Sequence, residues 1–417
     1  MTGTPNSSAD VLIVGGGPAG LAAAIELGRR DRRVVLVDRG RASPTASQLL
    51  TPRAVAAIRR LGIVAGDDGH PVEHVRLTAL EPGGGTRSIA TRWPELHGTP
   101  DVATVADRDE LIDGLTGLAA RFGVELLMGD AVSPLVDRGF VRGATVRHEG
   151  GATTELRATY TIVADGANSQ FGRLLGTIRD PDWPVAVAHA ADYDSPLHAA
   201  GEAEFVLGVT DRVGTPIVGY GWMFPTGLGR VSVGLMMVST SPSFQVINPA
   251  HLHQRLVEDQ RGRWQLGDAV TPPAGGRIPI GGSVGPLAGP TYLITGDAGG
   301  IANPFTGSGI DTAFETGIVA ADVVAEALSS GNPAELQQYP RQLDDRYGSY
   351  DKIGRLVDRA LGRPAFARWM HAQIVGNRPV ADGTVRIALQ HLRRGRGGLP
   401  ELMYRVGRTV SIFAPDA

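Results

Sequence analysis

No cysteine occurs anywhere in the chain, which removes disulfides, thiolate metal sites, cysteine nucleophiles and redox-active thiols together. Lysine is almost as scarce. Lys352 is the only one, so nearly all the positive charge is arginine, a bias that coding composition explains. The formal net charge is -3, with no basic excess of the kind that tracks nucleic acid, and no nucleic-acid partner is expected. The ten histidines are scattered, none in a pair such as H-E-x-x-H, so no metal site is expected either. No apolar run reaches the ~18 residues of a membrane span. Met1 to Asp10 is short and polar, without the basic-then-apolar layout of a signal peptide, which makes the cytoplasm the expected location.

What is present is a globular composition, 42% hydrophobic over 417 residues, long enough for two or three domains. Val11 to Val14 is an apolar run entering glycines, Ala19 to Arg30 has apolar residues at helical spacing, and Val34 to Val37 is a second apolar run: strand, turn, helix, strand. Thr104 to Arg121 reads as helix, with Asp109 and Glu110 suited to a first turn, and Val124 to Met128 reads as a strand. Val141 to His148 and Thr153 to Val163 flank Glu149-Gly150-Gly151, which predicts a hairpin. From about Pro181 to Pro290 the chain is rich in Gly, Pro and β-branched residues, with clear alternation at Arg230 to Leu235, and reads as an antiparallel sheet. A buried-strand pattern returns at Tyr292 to Thr295, followed by a Gly-rich turn and a helix from Ile310 to Leu328. The expected division is a discontinuous nucleotide-binding domain over 1–75, 100–180 and 288–332, a substrate-binding sheet domain over 76–99 and 181–287, and a helical region over 333–417.

Gly15, Gly17 and Gly20 satisfy G-x-G-x-x-G after a strand and at the opening of a helix, and Asp38 closes the next strand. The glycines permit a tight turn and close backbone approach to a pyrophosphate. The helix start faces its charge, and Asp38 is placed to hold a ribose hydroxyl. A nicotinamide-binding domain would carry the same fingerprint, so the choice of dinucleotide rests on three later motifs. Asp165-Gly166-Ala167 after the hairpin resembles the Asp-Gly motif of flavoprotein hydroxylases, Gly296-Asp297-Ala298 after a strand resembles their Gly-Asp motif, and Arg108 resembles the arginine that approaches the cofactor phosphates. Their order and spacing indicate FAD. Asp297 would then accept from a ribityl hydroxyl, while Pro304-Phe305-Thr306-Gly307-Ser308-Gly309 presents backbone amides toward the flavin pyrimidine.

Tyr292 to Gly317 closely resembles the geranylgeranyl reductase family, including its menaquinone reductases, and Tyr220-Gly221-Trp222-Met223-Phe224-Pro225 matches that family's Tyr-x-Trp-x-Phe-Pro segment. The likeness extends through Thr51-Pro52-Arg53-Ala54-Val55 and the helical tail. It implies an α/β fold: a Rossmann-like FAD-binding domain of the para-hydroxybenzoate hydroxylase type, an inserted antiparallel β-sheet substrate domain and a C-terminal helical region. It also implies an apolar, often isoprenoid, small-molecule substrate. Tyr220, Trp222 and Phe224 would alternate along a strand at the mouth of the substrate cavity, the alternative being an ordinary aromatic core strand.

The resemblance breaks at one place. Family reductases carry Cys-Gly-x-Gly just before the Leu-Thr-Pro-Arg segment, and here Ala46-Ser47-Gln48-Leu49 stands there instead. The reading this favours is monooxygenation, by epoxidation or hydroxylation, of a terpenoid or polyketide-like molecule of secondary metabolism. Such chemistry needs a dry pocket and no protein nucleophile, and no catalytic residue is assigned from the sequence. Ene reduction of a polyprenyl chain and a redox-neutral cyclisation with FAD as a structural element stand as alternatives. Halogenases of this fold use a lysine in the N-terminal half, where this chain has none. No second G-x-G-x-x-G follows a strand, so electrons are expected from NADH, NADPH or a separate reductase without a dedicated domain. His391 to Arg396, with Arg405 and Arg408, forms a basic stretch that reads first as a solvated helix face, with peripheral contact to an anionic membrane as the alternative.

Overall fold

A computed structural model describes residues 8–40, 45–63, 69–81, 83–95 and 98–390. The basic stretch at 391–408 lies outside these residues. Val11, Leu12 and Ile13 are wholly buried, as a strand covered on both faces requires. Their strand, Ala9–Val14, pairs in parallel with Val34–Asp38 on one side and with the second half of Thr153–Val163 on the other. Glu125–Met128 extends the sheet beyond Val34–Asp38, and Tyr292–Ile294 extends it beyond Thr153–Val163. The helices Pro18–Gly28 and Ile310–Ser330 pack on one another over this sheet. The eleven-residue strand Thr153–Val163 serves twice: its first half forms the expected antiparallel hairpin with Phe140–Arg147, its second half joins the parallel layer.

Two sequence readings are corrected. Thr104 to Ala106 is not helix: Ala103–Ala106 is a buried strand paired with Gln48–Leu50 and His70–Val72. The helix begins only at Arg108, where the Asp107 carboxylate accepts the N–H groups of Asp109 at 2.9 Å and Glu110 at 3.2 Å. An apolar run with β-branched residues fits either period over so few positions, and the N-cap decides where the helix starts. The second sheet is seven-stranded, in the order Ala274–Pro279, Val185–Asp194, Arg230–Val238, Gly219–Pro225, Glu202–Leu207, His74–Leu80, Thr86–Arg92. It is not wholly antiparallel, because Glu202–Leu207 and His74–Leu80 run parallel. Those two strands come from distant parts of the chain, so no tight turn constrains their direction.

Helices Pro364–Gly376 and Arg378–Ala388 cover the His74–Leu80 and Thr86–Arg92 edge, with Ile374, Val375, Val385 and Leu389 packed into one apolar cluster with Trp93 and Phe224. Among the described residues no helix is long and apolar enough to cross a membrane. Helix Ser349–Leu361 buries two carboxyls, Asp351 and Asp358. Burial pushes the Asp351 carboxyl up to about 8, with Arg355 pulling against it and Asp344 adding to it. An acid whose folded value lies above its unfolded value destabilises the fold progressively as pH rises from about 4 to about 8. Asp351→Asn should match the native protein in melting temperature at pH 4 and exceed it by roughly 3 °C at pH 8.5. Equal melting temperatures at both pH values would show that the carboxyl is already charged.

Candidate active site

The parallel sheet changes direction of winding at Ala9–Val14, so a crevice opens beyond the carboxyl ends of that strand and Thr153–Val163. The expected motifs converge there. Gly15–Gly17 follow the first strand, Ala164–Gly166 the second, and Gly296–Asp297 follow Tyr292–Ile294. The glycines are not equivalent. A Cβ at Gly20 would lie 1.9 Å from the Gly15 carbonyl oxygen, whereas one at Gly17 would meet nothing within 4 Å. Gly20 therefore lets the helix seat against the turn, and Gly17 borders open space before the bare amides that begin Pro18–Gly28. Asp38 accepts from Gly16 N–H at 2.5 Å and Gly40 N–H at 2.7 Å, so it braces the glycine turn while each carboxylate oxygen keeps a lone pair.

Gly17, Arg108, Gly166, Asp297, Gly307 and Gly309 line one cavity of about 530 Å³. Asp165 does not reach it: one carboxylate oxygen takes the Phe171 N–H at 3.0 Å and the other is buried without a protein partner. Pro304 also stands back, packed against helix Ser349–Leu361, where a Cβ on Gly354 would come within 2.3 Å of its ring. Asp297 is buried deeply enough to raise its carboxyl above the usual range, with Arg108 pulling it back. A Cβ at Gly309 would sit 2.5 Å from the Asp297 Oδ1, so the glycine leaves this carboxyl open toward the cavity. An open helix start, a cationic Arg108 and the Asp297 carboxyl left open toward the cavity are the complement of phosphates and sugar hydroxyls. The residues present fit a dinucleotide.

The same cavity continues to Phe205, Tyr220, Trp222 and Phe224. The three residues expected from the sequence do alternate along Gly219–Pro225, and Phe205 on the neighbouring strand, opposite Trp222, completes the set. Trp222 and Phe224 are stacked at 5.8 Å, and Phe205 meets Tyr220 and Phe224 edge-on at 5.3 and 5.4 Å. Gly234, paired with Trp222, makes room for the indole: a Cβ there would lie 2.2 Å from it. The Tyr220 hydroxyl donates to the Thr306 carbonyl, which ties the aromatic strand to the Pro304–Gly309 loop. Burial raises that phenol strongly, so it stays a donor. His189 borders the cavity, yet its ring lies on the other face of the sheet, 5.0 Å from the His253 ring.

Sequence reasoning missed how the Ala46–Leu49 wall is held. Asp192, fully buried, accepts the Ser47 N–H at 3.0 Å and its hydroxyl at 2.7 Å, while the Ser232 hydroxyl donates to the Ser47 carbonyl at 2.9 Å. Arg230 lies 3.8 Å from both Asp192 and Asp107. Gln48 and Leu49 line the cavity, and the segment brings it no titratable group. A second network lies behind Thr51. Arg53 donates to Glu315 through Nε at 3.0 Å and through Nη2, and also to Gln390 at 2.6 Å. The Tyr347 hydroxyl donates to the same Glu315, and the Thr51 hydroxyl donates to Asp311 at 2.6 Å. Burial alone would raise Glu315, but its arginine holds it below the usual range. Asp311, left with a hydroxyl, is pushed by burial up to about 6.

Crevice, turns and cavity together define a flavin-dependent class of oxidoreductase, and comparison with known proteins agrees. Residues 8–212 match the FAD binding domain family model. A menaquinone reductase of Mycolicibacterium smegmatis is 31% identical, covering 87% of this chain and 86% of its own length. A digeranylgeranylglycerophospholipid reductase of Methanopyrus kandleri is 28% identical over 81% of this chain and 83% of its own. A geranylgeranyl bacteriochlorophyll reductase-like protein from Thermoplasma acidophilum shares the fold, with a TM-score of 0.78 over 96% of this chain and 98% of its own at 22% identity. The chain belongs to the geranylgeranyl reductase family of FAD-dependent oxidoreductases.

The two glycines separate fold from ligand. Gly17→Ala should leave the melting temperature of the flavin-free protein unchanged and weaken FAD binding at least about tenfold, or about 1.4 kcal/mol. Gly20→Ala should lower the melting temperature itself. Flavin absorbance after dialysis and thermal scans of the stripped protein check both. Unchanged FAD binding in Gly17→Ala would place the phosphates elsewhere.

Proposed function

We propose that this protein is an FAD-dependent monooxygenase that epoxidises or hydroxylates an apolar terpenoid or polyketide-like molecule lying along Phe205, Tyr220, Trp222 and Phe224. The observation that carries the reading is the Ala46–Leu49 wall. Where a reductive site would have its thiol and flexible glycines, this chain has a segment pinned by Asp192 and Ser232, with nothing titratable turned inward. A pinned wall that brings no titratable group to the cavity keeps water out, which oxygen transfer requires. FAD, when bound, supplies the two-electron chemistry. The glycine turn and the start of Pro18–Gly28 would hold its pyrophosphate, with Arg108 as counter-charge, Asp38 on a ribose and Asp297 on the ribityl chain. The amides of Thr306 to Gly309 would meet the ring edge. Electrons would come from NADH, NADPH or a separate reductase.

A second reading, reduction of a carbon–carbon double bond in a polyprenyl chain, is favoured by the 31% identity to a menaquinone reductase. The product's accurate mass separates the two. Monooxygenation adds one oxygen and stops without O2; a product that gains two hydrogens at the same rate under nitrogen would sink the proposal. Trp222→Ala should depress turnover while FAD absorbance persists. Asp192→Ala, which frees the Ser47 segment, should raise substrate-independent peroxide release several-fold over the native enzyme. No rise would mean that the wall does not keep water out.

A further inference from the structure

We propose that Thr51 and Asp311 form a proton-delivery pair opening on the cavity, with the Thr51 hydroxyl touching the reacting ligand and Asp311 behind it as the positioning residue that supplies the proton. This rests on the cavity being the reaction chamber, and it holds for either reaction assigned to it.

The geometry leaves the Asp311 carboxyl one way out. It is 5% exposed, and its Oδ2 lies 2.6 Å from the Thr51 hydroxyl. Its Oδ1 is buried without a partner. Thr51 lines the cavity beside Ile310 and Leu389, so the pair spans the wall from buried acid to ligand space. When Asp311 is a carboxylate, Thr51 donates to it. When Asp311 is protonated, the acid donates to the hydroxyl oxygen and Thr51 is free to donate inward.

Among the described residues, the charged groups that act on Asp311 are Arg53 and Glu315, with Tyr347 and Arg346 beyond them on Glu315. Arg53 is committed to Glu315, Gln390 and the Leu389 carbonyl, and Tyr347 is committed to Glu315. Glu315 therefore stays charged, while burial pushes Asp311 up to about 6. Two carboxyls held apart in this way are the arrangement that separates a proton donor from a fixed charge.

Both reactions consume a hydride equivalent and one proton per turnover. In oxygen transfer they leave with the second oxygen atom of O2 as water; in double-bond reduction they add across the two carbons. The hydride originates in the reduced cofactor. The proton passes from Asp311 Oδ2 to Thr51 Oγ1 as the Thr51 proton passes to the ligand. Asp311 remains as a carboxylate facing Arg53 and regains its proton by the reverse route from cavity water after product leaves.

Re-oxidation of the photoreduced, FAD-loaded protein by O2 tests the pair without a substrate, because a hydride equivalent and one proton convert O2 to hydrogen peroxide. The native rate should fall as pH rises through about 6. Asp311→Asn should be at least tenfold slower at pH 5.5 and lose this pH dependence. A protonated-carboxyl infrared band titrating near pH 6 should vanish in Asp311→Asn and persist in Thr51→Val. Thr51→Val should be as slow as Asp311→Asn, and Thr51→Ser should restore the rate. A native rate for Thr51→Val, or a carboxyl band untouched by Asp311→Asn, overturns the pair. A product that gains hydrogens instead of oxygen overturns the monooxygenase reading and leaves the pair standing.

Discussion

A strand paired in parallel on both sides cannot be entered by a hairpin, so the chain must leave and return across the face of the sheet. Ala9–Val14 is such a strand, and the winding of the sheet reverses there. Everything catalytic follows from that constraint. The reversal opens a crevice at one end, the turn after each neighbouring strand faces it, and helix Pro18–Gly28 starts in it. The late strand Tyr292–Ile294 returns to the same layer and brings Asp297 and the start of helix Ile310–Ser330 to within reach of Arg108. Long-range parallel pairing thus joins residues some 280 positions apart in sequence into one polar surface.

The second sheet works by a different principle. Side chains of paired residues share a face, so Trp222, Gly234 and Ala190 lie together on the cavity side while Met223, Leu235 and Val233 fill the core under helix Pro249–Trp264. One sheet therefore has an aromatic face that stays open and an aliphatic face that is closed. The two halves of the molecule are then fastened by buried polar contacts rather than by apolar packing alone: Asp192 to Ser47 and Tyr220 to Thr306. Each would leave a buried group unsatisfied if the halves slid against one another without admitting water, a penalty of about 1–3 kcal/mol and more for a charge. Such contacts fix the cavity's shape more sharply than an apolar seam would.

The Ala46–Leu49 segment stands where the family resemblance implied a Cys-Gly-x-Gly motif. A serine held through its N–H, hydroxyl and carbonyl is a rigid wall, and behind Thr51, elsewhere on the cavity lining, Asp311 is screened from water.

Local sequence determined the glycine turn, because only glycine tolerates the 1.9 Å approach at position 20, and it determined the aromatic triplet, because period-two spacing puts Tyr220, Trp222 and Phe224 on one side of any strand. The strand at Ala103–Ala106 was hidden, since so few apolar residues before a helix fit both periods and only pairing with Gln48–Leu50 and His70–Val72 chose between them. The parallel partner of Glu202–Leu207, the placement of Phe205 opposite Trp222, and the Asp192 clamp were equally illegible: each joins segments whose separation carries no periodic signal. Asp311 shows the division most plainly. In the sequence it is one more acid in the first turn of a helix, where a carboxylate is ordinarily stabilised. Only the tertiary structure gives the nearby arginine to Glu315, buries Asp311 against Thr51, and so turns a helix-capping charge into an acid that holds its proton to about pH 6.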